Sequence, residues 1–231
     1  MNCKKQIWGI LLLFAALGQV YADEGMWVLK ELNKQNLARM KELGFIPTYE
    51  QLYSETDPCV ANAVVIFGGG CTGITVSQEG LIFTNHHCGY SSIQQLSSVE
   101  HDYLKDGFVS QKKEEELPVP GLSVQYLKET IDVTDRINRV IAPIGDEYKR
   151  LMAADSVGQV LCDSIGRNEF KRAQVIPFYS NNKYYLVVYN VYRDVRLVFT
   201  PPSSVGKFGG DTDNWMWPRH TGDFSVFRVY A

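Results

Sequence analysis

The spacing of apolar residues changes several times along the chain, and each change marks an element. An apolar run from Ile7 to Leu17 follows Lys4 and Lys5 and gives way to Gly18-Gln19 and the small-residue site Val20-Tyr21-Ala22. This is the pattern of a secretory signal peptide over 1–22, cleaved after Ala22. A membrane anchor would need about 20 apolar residues, and Cys3 lies ahead of the run, which argues against a lipoprotein. Further on, Met26, Leu29, Leu32, Leu37, Met40 and Leu43 fall near helical spacing, with a stop at Gly44 and Pro47. They predict one amphipathic helix over 25–43.

From Ala61 the texture becomes β. Short apolar stretches at 63–67, 72–77 and 81–84 are separated by Gly68-Gly69-Gly70 and Gln78-Glu79-Gly80, as expected for strands joined by tight turns. Helical spacing returns over 91–105, with Ser91 or Ser92 as cap and Gly107 as stop, and again from Asp146 to Ile165, where Gly158 weakens continuity. Strand-like runs at 174–178 and 184–192 flank Asn181-Asn182-Lys183, a hairpin signal. Two more strands follow at 196–199 and 224–230, with an irregular loop from Pro201 to Gly210. Many short strands and few helices predict a mainly β chain with accessory helices, an antiparallel barrel or sandwich. Residues 227–231 read as the middle of a strand, so the chain is expected to be the front part of a longer protein.

Composition adds little to this outline. The 45% hydrophobic and 21% charged residues are ordinary for a packed domain. With 23 basic against 26 acidic residues, and Lys4 and Lys5 lost with the leader, the mature chain is acidic, which argues against a nucleic-acid partner. The one dense charge run, Lys112 to Glu116, has mixed sign and reads as a solvated turn or helix end. Once Cys3 is removed, Cys59, Cys71, Cys88 and Cys162 remain, an even number suited to an oxidising compartment. Three pairings are open. No Cys-x-x-Cys spacing suggests a zinc ribbon or redox motif.

Candidate chemistry lies in two segments. The first is Thr84-Asn85-His86-His87-Cys88 at the end of an apolar strand. Read as extended chain, it turns His86 and His87 to opposite faces, so one histidine faces a cleft and the other is structural. Three consecutive extended residues cannot converge on one ion, which disfavours a metal site there. The second is the loop from Gly210 to Ser225, dense in Trp, Asp, Asn and Gly beyond what packing requires.

The first segment is similar to the Thr-Ala-Ala-His-Cys motif around the general base of chymotrypsin-like proteases. Taken together, Gly68-Gly69-Gly70-Cys71-Thr72-Gly73, Thr84 to Tyr90, Pro201 to Gly210 and Asn214 to Ser225 resemble the bacterial serine exopeptidase family of dipeptidyl-peptidases 7 and 11. The resemblance runs from about Asp23 to Ala231. It is nearest to dipeptidyl-peptidase 7 over 61–90 and weakest over 141–173.

The resemblance implies a chymotrypsin-like double β-barrel, of which 23–231 is chiefly the first barrel, with a helical insertion domain beyond residue 231. It implies His87 as general base, Asp223 as its orienting carboxylate and a nucleophilic serine further downstream. Asn214 and Trp215 would hold the free α-amino group of an oligopeptide substrate. Cys71 would be bridged to Cys88, with Cys59 and Cys162 as a residual pair. The implied activity is release of dipeptides from free N-termini, with an apolar second residue, no cofactor and no metal. The protein would be exported to the periplasm or outer surface of a Gram-negative bacterium, without a stable membrane span, and a homodimer is allowed. Asp211 and Asp213 compete with Asp223 for the carboxylate role. Ser204 and Ser225 lack a nucleophile context and read as structural hydroxyls. Two other functions fit the same residues: a secreted β-barrel binding module that grips a ligand with the Trp-rich loop, and a zinc hydrolase built on His87, His220 and a carboxylate.

Overall fold

The computed structural model describes residues 27–32, 36–166, 168–206 and 222–231. They fall into two units, divided between Ile46 and Pro47. The signal peptide predicted for 1–22 lies outside the described residues. Among those described, no helix is long and apolar enough to cross a membrane.

In the first unit, the single helix expected over 25–43 is replaced by a 3-10 turn at Leu29–Glu31 and an α-helix at Asn36–Glu42. The apolar spacing explains the difference. Leu32 and Leu37 are five residues apart, which breaks the three-and-four rhythm of a helical face. The predicted stop is correct. Phe45 N–H bonds Met40 O at 2.9 Å and Gly44 N–H bonds Lys41 O at 3.0 Å, the paired bonds of a Schellman end with Gly44 left-handed.

The second unit carries ten strands among the described residues. They are β1 (Val64–Phe67), β2 (Cys71–Thr75), β3 (Leu81–Thr84), β4 (Phe108–Val109), β5 (Leu117–Pro118), β6 (Val124–Asp132), β7 (Lys171–Phe178), β8 (Lys183–Tyr192), β9 (Asp194–Thr200) and β10 (Ser225–Tyr230). Pairing follows the order β4-β9-β10-β3-β2-β1-β6-β8-β7, with β5 also on β9 and every pair antiparallel. Each strand read from the sequence is present.

The sheet is curled, and hydrogen bonds between its ends require it. Val119 N–H bonds Val195 O on the outer edge of β9, and Gly68 N–H, just past β1, bonds Ser123 O on the outer edge of β1. In a flat sheet these positions would lie six strand spacings apart, ~29 Å. The chain from Val119 to Ser123, four residue steps, reaches ~14 Å at most. The interior that results holds Val65, Phe67, Ile82, Val124, Val195, Leu197 and Phe227, all nearly or fully buried, with Ile93 from the adjoining helix. A barrel-like domain is therefore present.

β8 explains its own unbroken apolar run. Tyr184 and Leu186 pack under the helices Thr134–Ile141 and Glu147–Ser164, while Tyr185, Val187 and Tyr189 face Ile66, Leu127, Ile176 and Phe178. Both faces are covered, so alternation disappears. The helix Glu147–Ser164 matches the prediction closely. Asp146 caps it by accepting from Lys149 N–H at 2.8 Å, and it runs through Gly158, whose missing side chain lets Val175 of β7 approach.

Besides short elements such as Tyr49–Leu52, Val60–Ala63, β4 and β5, two longer ones escaped the sequence reading: β6, whose alternation is broken by a bulge between Leu127 and Glu129, and the helix Thr134–Ile141 that follows it. The charge run is also corrected. Lys113–Glu115 is a 3-10 turn, but Glu116 is only 4% exposed, accepting from Arg228 Nε at 2.7 Å and Tyr230 OH at 2.8 Å. A buried carboxylate is tolerated only with such partners.

Cys71 at the start of β2 is bridged to Cys88, 17 residues on. The residual pairing is wrong: Cys59 and Cys162 are both free thiols, Cys162 buried in its helix. Non-reducing peptide mapping should recover Cys71 joined to Cys88, and Cys59 and Cys162 as alkylatable thiols after unfolding. Free thiols at both 71 and 88 would refute the bridge, which in the chain-entropy model contributes about 3 kcal/mol.

Candidate active site

β3 ends at Thr84, whose buried hydroxyl donates to Thr72 O at 2.8 Å. The chain then turns directly into a helix, His86–Leu96, that begins five residues and ends nine residues earlier than the helix expected over 91–105, with Tyr103–Asp106 a separate turn of helix. His86, His87 and Cys88 thus lie on the first helical turn and not on a strand. The extended reading of this segment is thereby corrected: consecutive helical residues point about 100° apart, which still turns one histidine in and one out.

His86 is the inward one, with no exposed surface. Its Nδ1 lies 3.2 Å from Thr200 Oγ1 and 3.3 Å from Ser225 Oγ, and its Nε2 lies 3.3 Å from Ser203 Oγ. These three hydroxyls come from the end of β9, the one-turn helix Ser203–Gly206 and the start of β10. Gly206 packs so closely on the ring that a Cβ there would sit 2.6 Å from its carbons. Ser225 is therefore a structural hydroxyl, as expected, and Ser204 is exposed.

His87 is the outward one, its side chain 45% exposed. Asp223 reaches it from the segment just before β10. That strand pairs with β3 so that Ser225 faces Thr84, and continuing the register two residues brings Asp223 level with the histidines. Asp223 Oδ2 lies 3.0 Å from His87 Nδ1, and Asp223 Oδ1 accepts from the His87 backbone N–H at 3.2 Å. Asn85 Nδ2 donates to Oδ2 at 3.1 Å and to the Asp223 carbonyl at 3.3 Å. Burial alone would raise the Asp223 carboxyl, but the His87 backbone N–H, the His87 ring and the Asn85 amide outweigh it and hold the group below the usual carboxylate range. With Nδ1 committed to Asp223, Nε2 is the ring nitrogen left for chemistry. Among the described residues nothing hydrogen-bonds to it.

The structure thus brings together two of the predicted site residues, His87 and Asp223, and bridges Cys88 beside them to Cys71. Asn214 and Trp215 lie outside the described residues, as do Asp211, Asp213 and His220. No cluster of three or more metal-ligating side chains occurs among the described residues. Asn85, Thr200 and Ser203 were missed. One signal was available for Asn85: it and His86 occupy the positions where the protease motif that this segment resembles has two alanines.

Residues 22–231 match the family model described as Peptidase S46. Over its whole length the chain is 61% identical to dipeptidyl-peptidase 7 of Porphyromonas gingivalis, covering 32% of that protein, and 58% identical to dipeptidyl-peptidase 7 of Porphyromonas endodontalis, covering 28%. It is 48% identical to the Asp/Glu-specific dipeptidyl-peptidase of Porphyromonas endodontalis, over 96% of this chain and 32% of that one. Among solved structures, the crystal structure of Porphyromonas endodontalis DPP11 in complex with substrate superposes with a TM-score of 0.80 at 46% identity, over 90% of this chain and 31% of that chain. The chain spans about a third of the length of these relatives.

Proposed function

The chain belongs to the peptidase S46 family, and on that footing we propose that the full-length protein is a serine dipeptidyl aminopeptidase that releases dipeptides from the free N-termini of oligopeptides. Residues 1–22 are its export signal, directing it to the periplasm or outer surface, and 23–231 the front of its peptidase domain. A second barrel completes the chymotrypsin-like pair and, with a helical insertion, lies in the sequence beyond residue 231. The observation that carries the reading is the 3.0 Å contact of His87 Nδ1 with Asp223 Oδ2, on a histidine whose side chain is 45% exposed.

In this scheme His87 Nε2 takes the proton of a serine hydroxyl supplied by the downstream sequence as that oxygen attacks the scissile carbonyl. Asp223 fixes the tautomer through Nδ1 and stabilises the imidazolium. The same proton then passes to the leaving amine, and water, activated by His87, hydrolyses the acyl-enzyme to free the dipeptide. A fluorophosphonate should label the full-length protein and abolish its activity. Inhibition by chelators alone would favour a zinc hydrolase, and neither effect would leave a binding module.

Asn214 and Trp215 give the exopeptidase character. An ammonium needs oxygen acceptors, and the Asn carbonyl supplies one without burying a second charge. Hydrogen bonds to a charged group are worth roughly 1.5 to 3 kcal/mol, so Asn214→Ala should lower kcat/KM about ten- to a hundredfold on free substrates and far less on N-acetylated ones. Equal cleavage of free and acetylated peptides by the unmodified enzyme would remove both residues from the site.

For the second substrate residue we propose an apolar side chain, supported by the 61% and 58% identity to the two Porphyromonas dipeptidyl-peptidase 7 relatives against 48% to the Asp/Glu-specific one of Porphyromonas endodontalis. A panel with Leu, Phe, Asp or Glu at that position decides it. Faster turnover of the acidic members would assign the chain to the second group.

A further inference from the structure

Asparagine is among the residues best suited to cap a helix, because its side-chain oxygen can accept one of the first unsatisfied N–H groups. Asn85 stands at the N-cap of His86–Leu96 with extended backbone, φ −67° and ψ 148°, yet its side chain makes no capping bond. Its backbone carbonyl accepts normally, from Cys88 N–H at 3.1 Å and Gly89 N–H at 3.3 Å. The side chain is used elsewhere. The N–H it would ordinarily cap, that of His87 at the second helical position, goes instead to Asp223 Oδ1 at 3.2 Å. Asn85 Nδ2 donates to Asp223 Oδ2 and to the Asp223 carbonyl. Both partners are acceptors, which fixes the amide nitrogen on that side.

We propose that Asn85 is a positioning residue that gives up the capping of its own helix, leaves that N–H to Asp223, and holds the Asp223 carboxylate against His87 with its amide. Asp223 becomes the cap of a helix 136 residues away in sequence. Its two oxygens are thereby distinguished, with Oδ1 pinned by the helix N-terminus and Oδ2 shared between Asn85 and the imidazole. The negative charge also sits where the helix dipole favours it. The functional part of this inference rests on the proposed roles of His87 and Asp223, while the exchange of caps does not.

The test compares Asn85→Ser and Asn85→Asp in the full-length protein. Serine caps as well as asparagine does but is too short to reach Asp223. Aspartate keeps the shape but sets an acceptor against an acceptor and adds a second charge. Asn85→Ser should keep or raise Tm, whereas Asn85→Asp should lose some by repulsion between the two carboxylates; in both, kcat should fall about tenfold or more with KM within twofold. A residue that only supported the fold would lose stability and activity together. Wild-type kcat in both variants, or in Asn85→Ser a fall in kcat matched by a fall in Tm, would overturn the proposal.

A second arm is independent of catalysis. Asp223→Ala should lower Tm less in the Asn85→Ser background than in the wild type, because the bonds from the Asn85 amide to Asp223 are already absent there, while either side chain can take the N–H that Asp223 leaves. Equal losses in the two backgrounds would overturn the exchange of caps. If instead His87→Ala and Asp223→Asn were fully active, the catalytic reading would fail, and the Tm arm would still decide the capping claim.

Discussion

His87→Ala in the full-length protein is expected to lower kcat/KM by about three orders of magnitude or more with little change in Tm, whereas His86→Ala should lower Tm first. The two residues are adjacent, so the contrast rests entirely on their surroundings. The His87 side chain is 45% exposed and makes its ring hydrogen bond with Asp223 alone among the described residues, so truncation removes the proposed base and little packing. His86 is fully buried among the hydroxyls of Thr200, Ser203 and Ser225, with Gly206 against its ring. Its removal leaves buried hydroxyls facing a cavity, at a cost of about 2–4 kcal/mol. Turnover per folded molecule should then be retained in part, because the backbone N–H of His87 still meets Asp223. Activity normalised to folded protein, with Tm for both variants, is the measurement. A folded but inactive His86→Ala beside an active His87→Ala would exchange the two roles.

That contrast also shows how far the sequence could be read. The order of strands from β1 to β3, the hairpin of β7 and β8 and the helix after Asp146 were all legible, because each is encoded within about 20 residues by periodicity, a turn or a cap. The start of the His86–Leu96 helix was not. Thr84-Asn85-His86-His87-Cys88 has no helical rhythm, and the stop on β3 comes from Asp223 and Cys71 binding that turn from outside. β6 was lost to its bulge, and the burial of Glu116 to Arg228 and Tyr230, 112 and 114 residues away. The carboxylate itself was assigned by likeness to a known family. Asp211, Asp213 and Asp223 are equivalent in local pattern, and only the register of β10 against β3 separates Asp223 by bringing it to the helix start.

Asp223→Asn is expected to lower kcat by about ten-thousandfold while the protein stays folded and KM changes little. The reason is a count of donors. Asp223 receives the His87 backbone N–H on one oxygen, and the His87 ring together with the Asn85 amide on the other. An asparagine has one carbonyl oxygen and one NH2 group, so one of those two positions must set a donor against a donor. If the oxygen keeps the helix N–H, the new NH2 faces Nδ1, the imidazole turns to the other tautomer, and Nε2 carries a proton when it should accept one. If the oxygen faces Nδ1, the helix N–H and the new NH2 collide, and the imidazolium still loses its negative partner. A second readout follows from the lowered Asp223 carboxyl. A carboxyl that is more acidic when folded stabilises the native state above its unfolded pKa, and this contribution is lost as pH falls through the lower folded value. The variant has no such group, so its Tm should fall less steeply than the wild type's on acidification through that window. A kcat within tenfold of wild type, with the acid dependence of Tm unchanged, would move the orienting role to Asp211 or Asp213 and leave Asp223 as the cap of the helix alone.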